Sequence, residues 1–138
     1  MSLTLMLASS ILDVYYDATN AWLYLDWKGP QELAQVQAAA RHVSVLIAQT
    51  GAQKILNDST HVTFTGGDVA RWAASEYLPQ AGRDGVEYVA WVASPMLGCY
   101  NHIDVMTQPL GQHPHVAAFD DVAGACAWLS NLSVVASY

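Results

Sequence analysis

KILNDST, residues 54–60, is the stretch that decides the fold, together with Thr65-Gly66-Gly67-Asp68 further along the chain. Ile55 and Leu56 are adjacent apolar residues, which is typical of a strand covered on both faces. We therefore expect a buried central strand over residues 53–58, then a polar loop, then a helix that begins near Thr65. In an open α/β sheet, such a junction is where ligands and partners usually bind.

The residues before this strand predict a hairpin and a helix. Two runs rich in β-forming residues, 11–17 and 21–28, are separated by Ala18-Thr19-Asn20. Gly29-Pro30 then favours a helix start, apolar residues recur at helical spacing, and Gly51 favours the helix end.

The residues after it continue the alternation of helices and strands. We expect a helix that ends at Pro79, a loop over 80–85, a strand over 86–93 and a helix opened by Ser94-Pro95. A short strand over 116–119 and a helix capped by Asp120 follow. The predicted order is β-β-α-β-α-β-α-β-α. This order indicates one α/β domain over residues 1–138, with a mixed sheet that is mostly parallel after the leading hairpin.

Composition excludes several functional classes. The 138 residues carry a formal charge of −7, are 53% apolar and 12% charged, and include only five Lys and Arg residues. The chain lacks the basic surface that nucleic acid or an anionic membrane requires. No stretch is long enough for an integral membrane segment, and residues 1–10 lack the positive region of a signal peptide. With Cys99 and Cys126 interpreted as reduced thiols, we expect a cytoplasmic protein.

The predicted hairpin has aromatic residues on its non-core face. Tyr15, Trp22 and Tyr24 lie opposite the aliphatic residues of the two strands. This pattern predicts either a self-association surface, with a second copy of the chain as a homodimer partner, or a face covered by a helix or loop.

The junction itself contains several candidate functional groups. Thr65 and Asp68 match a capping box, and Gly66-Gly67 either presents N–H groups to an anion or merely permits a close turn. Asp58, Thr60 and His61 resemble a hydrolase constellation, although neighbouring residues on a strand point to different sides. His102, His113 and His115, with Asp104 as the only companion in view, could in principle hold a metal, but we expect solvated loop histidines and no metal site. We predict no cofactor.

Three phrases carry a resemblance to a known family: Leu25 to Pro30 (LDWKGP), Lys54 to Asp58 (KILND) and Ala118 to Asp121 (AFDD). With the order of elements and the turn at Thr65-Gly66-Gly67, the chain resembles the STAS superfamily of bacterial anti-sigma-factor antagonists. It is most similar to small bacterial STAS-like or lipid-transfer-like proteins. In the antagonists, a serine in Asp-Ser-x-Gly at this helix start is phosphorylated. Gly66 stands at the serine position and Thr65 at that of the aspartate, so the switch does not carry over.

Two functional hypotheses follow. The first is a non-catalytic module that binds a protein partner or a small amphipathic ligand at the junction; its candidate residues are Asn57, Asp58, Thr60, Thr65, Gly66, Gly67 and Trp72. The alternative is a small hydrolase or transferase using Asp58, Thr60 or His61 beside a Gly66-Gly67 anion site. An apolar cavity lined by Trp72, Trp91 and Tyr100 would favour the first hypothesis. A polar cleft where Asp58, Thr60 and His61 converge would favour the second.

Overall fold

A computed structural model describes residues 2–94 and 114–133 of the chain. Six strands form one sheet: β1 Leu3–Ala8, β2 Leu12–Asp17, β3 Trp22–Gln31, β4 Lys54–Thr65, β5 Tyr88–Val92 and β6 His115–Phe119. The described helices are α1 Leu33–Thr50, α2 Gly67–Trp72, α3 Leu78–Arg83 and α4 Val122–Ser130. A π-helical turn, Ala73–Tyr77, joins α2 to α3 and is called the π-turn below.

The strands lie in the sheet in the order of the sequence. β1, β2 and β3 are antiparallel neighbours, whereas β3, β4, β5 and β6 are parallel neighbours. The predicted fold class, a mixed α/β sheet with a leading hairpin, is therefore confirmed.

The first strand was not predicted. Leu3–Ala8 pairs with β2 as an edge strand, and Leu3 and Leu5 are exposed. An edge strand is held by backbone pairing on one side, so its side chains need not show the alternation expected of a half-buried strand.

The central strand is longer than predicted. β4 continues to Thr65, and β3 continues to Gln31, because the two strands pair with each other along both extensions. Residues 59–64, predicted as a loop, thus belong to the strand. Pro30 also lies in a strand rather than in the first turn of α1. β5 pairs with residues 54–58 of β4, so among the described strands the extension has β3 as its one neighbour, and it is more exposed.

Helix ends agree with the sequence in part. Gly51 ends α1 with φ of 68° and donates its N–H to the Ile47 carbonyl at 2.8 Å, as expected of a left-handed terminator. Pro79 was wrongly predicted to end the second helix. The π-turn shifts the hydrogen-bonding frame, which places Pro79 in the first turn of α3, where a missing N–H is tolerated. The predicted loop at 80–85 is consequently helical as far as Arg83.

The last helix begins one residue later than predicted. Its N-terminal cap is Asp121, not Asp120, and the Asp121 carboxylate accepts the Gly124 N–H at 2.6 Å. The predicted helix after Ser94-Pro95, including Cys99 and Tyr100, lies outside the described residues.

Apolar layers cover both faces of the sheet. On one face, α1, the π-turn and α3 pack on the aliphatic side chains of the hairpin and central strand, as predicted. The core on this face includes Leu12, Val14, Leu23, Leu25 and Ile55 from the sheet and Val43, Ile47 and Leu78 from the helices. On the other face, α4 packs on Trp22, Leu56, Ala90 and Val92. Among the helices of residues 2–94 and 114–133, none has the length and hydropathy needed to cross a bilayer.

Candidate functional site

The two faces of β4 carry different groups. Asn57 points toward the layer of α1 and the π-turn, whereas the neighbouring Asp58 points toward the opposite face of the sheet. This alternation separates the predicted candidate residues into two sets.

A cavity lies between the sheet and α2 with the π-turn. Its volume is about 60 Å³. Four of the described aromatic residues, Trp27, Trp72, Tyr77 and Trp91, contribute to its walls. The other described lining residues are Gln31, Val36, Ser59, Val62, Thr65, Val69, Ala70 and Ala73. We call this space the aromatic cavity. It lies at the strand–helix junction that the sequence singled out, and it contains the predicted Thr65, Trp72 and Trp91.

The π-turn arranges the aromatic walls. Trp72 and Tyr77 stack with ring centroids 5.8 Å apart, although five positions separate them in the sequence. A π-helical turn has more residues per turn than an α-helix and brings such residues to one side. Tyr77 also meets Trp27 and Trp91 edge-on, at 6.4 Å in each case. Tyr77 is thus the centre of the aromatic group.

Asn57 holds two of these walls in place. The Trp27 Nε1–H donates to Asn57 Oδ1 at 3.0 Å, and the Tyr77 hydroxyl donates to the same oxygen at 3.2 Å. Asn57 is 0% exposed, and its Nδ2 has no hydrogen-bond partner among the residues that the structure describes. Burial raises the pKa of Tyr77, so the hydroxyl stays protonated and available as a donor. Asn57 therefore acts as a buried acceptor that fixes ring orientation.

Asp58 forms a second cluster on the opposite face. It is 1% exposed, and its Oδ2 accepts the Tyr24 hydroxyl at 2.8 Å. Its Oδ1 accepts the Thr60 N–H at 2.9 Å and also the Thr60 hydroxyl. Burial, and secondly the hydrogen bond to Asp58, raise the pKa of Tyr24. These donors compensate the buried carboxylate.

His61 joins this cluster through Asp26. The His61 Nδ1 lies 3.0 Å from Asp26 Oδ1, and this hydrogen bond with the Asp26 charge raises the pKa of the imidazole. In a regular strand, Asp58 and His61 would face opposite sides. An irregularity in the pairing, where Asp58 matches Asp26 and His61 matches Lys28, places them on one side. Asp26, Asp58 and His61 each have one ligand atom within 4.8 Å of the other two. Among the described residues, this group is close enough together to hold a metal ion.

The hydrolase arrangement does not form in this cluster. Its chemistry requires an imidazole between the nucleophilic hydroxyl and the carboxylate. The Thr60 hydroxyl instead donates directly to Asp58, and the His61 ring pairs with Asp26. His115 lies apart from this cluster, stacked on Tyr88 at 5.6 Å, while His102, Asp104 and His113 lie outside the described residues.

The predicted capping box at the start of α2 is wrong. Gly66 is the cap residue and Thr65 is the last residue of β4. The Asp68 carboxylate lies over this turn: its Oδ1 accepts the Val69 N–H at 2.8 Å and would lie 2.6 Å from a Cβ added at Gly66. This negative group opposes a bound anion at Gly66, whereas the Arg71 guanidinium lies near Gly67, with its Nη1 3.1 Å from the position of an added Cβ.

The predicted self-association face is partly covered. Trp22 is 2% exposed beneath α4, so it is core rather than surface, in line with the covering-helix alternative. Tyr15 and Tyr24 are half-buried and stack with ring centroids 5.9 Å apart.

Sequence reasoning missed three residues of the two candidate sites: Trp27, Tyr77 and Asp26. The first two were assigned to the core from their periodicity, and Asp26 to an outward face. Their roles depend on partners that are 20 to 35 positions away, such as Asn57 for Tyr77 and His61 for Asp26. The hairpin pattern placed Asp26 on the aromatic face, which is the one signal that could have suggested it.

Comparison with known proteins identifies the fold of the chain. No protein-family model matches the sequence, and no curated protein matches it. Among solved structures, the chain is similar to an uncharacterised protein of the DUF3478 family from Shewanella loihica PV-4, which has a SpoIIAA-like fold. The two chains share 15% identity over 93% of this chain and 92% of the other, with a TM-score of 0.53. The chain therefore has a SpoIIAA-like, that is STAS-like, fold.

Proposed function

We propose that the protein is a non-catalytic STAS-like module that binds a small amphipathic ligand through the aromatic cavity. The cavity is the observation that carries this proposal, because it lies at the junction of β4 and α2 and is walled by four aromatic residues. Ligand sites are typically concave and mostly apolar, with a few placed polar groups.

The size and polarity of the cavity indicate which part of a ligand enters. At about 60 Å³ it is smaller than the ~150 Å³ engineered cavity that binds benzene. A short alkyl end fits this space better than an aromatic ring. Gln31, Ser59 and Thr65 also line the cavity and supply polar groups for a hydroxyl or carbonyl.

The absence of the family's serine fits a module that is regulated by ligand rather than by phosphorylation. Gly66 occupies the serine position, and the Asp68 carboxylate lies against it, where a phosphate would be repelled. The arrangement of Thr60 and His61, which do not bond to each other, supports a binding role over hydrolysis.

Titration with 1-hexanol tests the proposal. In ¹H–¹⁵N spectra, we expect saturable shifts of the indole N–H signals of Trp27, Trp72 and Trp91. Ala70→Leu fills the cavity, because Ala70 is a buried lining residue. Ala48→Leu, on the exposed side of α1, is the matched control. Affinity should fall at least about ten-fold in Ala70→Leu and stay unchanged in Ala48→Leu, since a filled site excludes the alkyl chain. Equal affinity in both variants would contradict the proposal.

A further inference from the structure

A second concave site lies outside the aromatic cavity, between α1 and the segment formed by the π-turn and α3. It is a groove of about 460 Å³. Trp72 and Tyr77 line both spaces, so this stacked pair separates the groove from the aromatic cavity. We propose that the groove binds a small organic anion with a flat apolar body. This inference goes beyond the proposed function, which concerns the inner cavity.

The groove has an apolar floor and an aromatic wall. Val43, Ile47 and Ala81 form the floor and are buried, with exposures of 1%, 1% and 3%. The half-exposed Trp72 contributes an indole face beside them. The volume lies within the range of roughly 300–1,000 Å³ that is usual for small-molecule sites. A planar ring system can therefore pack against Trp72 over this floor.

The charges at the rim select an anion. Arg41 from α1 and Arg83 from α3 both line the groove, and they are two of only five Lys and Arg residues in a chain of net charge −7. Among the lining residues that the structure describes, Glu76 is the one carboxylate, so these residues carry a net charge of +1. This balance is opposite to that of the whole chain, and it raises the local concentration of small anions.

The two guanidinium groups are available for a ligand. Neither forms an ion pair with the residues that the structure describes. Arg83 donates one hydrogen bond to Gln80 Oε1 at 3.0 Å, which steadies the side chain and leaves its other donors. The planar fork of arginine matches the oxygens of a carboxylate, phosphate or sulfonate. A ligand with one such anionic group on an aromatic body can contact both the arginines at the rim and the apolar floor beside Trp72.

Binding of naphthalene-2-sulfonate, followed in ¹H–¹⁵N spectra, tests the assignment. We expect saturable shifts of amides in residues 37–47 and 75–83. Because both arginines are exposed, Arg41→Gln and Arg83→Gln should each weaken binding by about 1.5- to five-fold, the range of an exposed charge pair. Arg71→Gln is the matched control, since Arg71 is an exposed arginine on α2 that lines neither space. Its affinity should equal that of the wild type.

Two further measurements distinguish the contribution of the anionic group from that of the ring, and binding in the groove from binding in the aromatic cavity. The neutral 2-naphthalenemethanol should bind wild type and Arg41→Gln equally. Ala70→Leu should leave sulfonate binding unchanged, so failure of this inference is distinguishable from failure of the proposed function. The inference is overturned if Arg71→Gln weakens sulfonate binding as much as Arg41→Gln. It is likewise overturned if the arginine variants do not change the affinity, or if the shifts map elsewhere.

Discussion

Replacement of Asn57 by alanine tests the polar anchor beneath the aromatic cavity. The change removes the one oxygen that accepts both the Trp27 Nε1–H and the Tyr77 hydroxyl. Two buried donors then lose their partner, at about 1–3 kcal/mol each. The change also removes Asn57 Nδ2, a buried donor that has no partner among the described residues. Its removal stabilises the fold by about as much as the loss of one partner destabilises it. We therefore expect the free energy of unfolding to fall by about 1–3 kcal/mol.

Urea denaturation followed by circular dichroism measures this change, and a second substitution identifies its cause. In the wild type, Tyr77→Phe removes a hydrogen bond and should destabilise the fold by about 1 kcal/mol. In the Asn57→Ala background, Tyr77→Phe removes an unpaired hydroxyl instead, and should be neutral or stabilising. If Tyr77→Phe costs the same in both backgrounds, the anchor described here does not exist.

Asn57→Asp keeps an oxygen acceptor at this position and removes the Nδ2 donor, which has no partner among the described residues. The variant keeps an oxygen for both donors but buries a carboxyl group. Burial should raise its pKa above the unfolded value, so the stability of the variant is fully present below the unfolded pKa and declines as the pH rises through the folded pKa. A variant whose stability relative to wild type is independent of pH would contradict the burial of this position.

Two more predictions concern the cluster on the opposite face. Tyr24→Phe removes a hydrogen bond to the buried Asp58 and should lower the free energy of unfolding by about 1.5–3 kcal/mol, whereas the control Tyr15→Phe should have little effect; urea denaturation measures both. An NMR titration should place the pKa of His61 above its usual 6.5, and Asp26→Asn should return it toward that value. Because the folded pKa is raised, the stability from this pair is present below the unfolded pKa and lost as the pH rises through the folded one; a pKa unaffected by Asp26→Asn would refute the pairing.

The sequence was sufficient for the parts of the fold that depend on local patterning. The hairpin, the buried start of β4 and the end of α1 at Gly51 follow from alternation, from adjacent apolar residues and from a left-handed terminator. The location of the strand–helix junction that carries the aromatic cavity also followed, because parallel strands meet helices there. Each of these sequence signals lies within a few residues of the strand or helix end that it predicts.

The remaining features depend on pairing between distant segments. The extension of β4 to Thr65 is set by β3, and the irregularity near Ser59 and Thr60 reverses the side on which His61 lies. The π-turn arises inside a stretch whose apolar spacing is that of an ordinary helix. No local pattern encodes these contacts, so the place of Trp27 and Tyr77 in the cavity walls and the Asp26–His61 pair could not be predicted from the sequence.

Intermolecular NOEs from bound 1-hexanol test whether the ligand binds in the aromatic cavity, because they report which side chains the ligand contacts. In a filtered spectrum of the ¹³C-labelled protein, the terminal methyl of hexanol should show NOEs to Val62, Val69 and Trp91, all of which line the aromatic cavity. NOEs that are confined to the exposed apolar side chains Leu5 and Phe64 would instead indicate non-specific surface contact and contradict a ligand site at the junction.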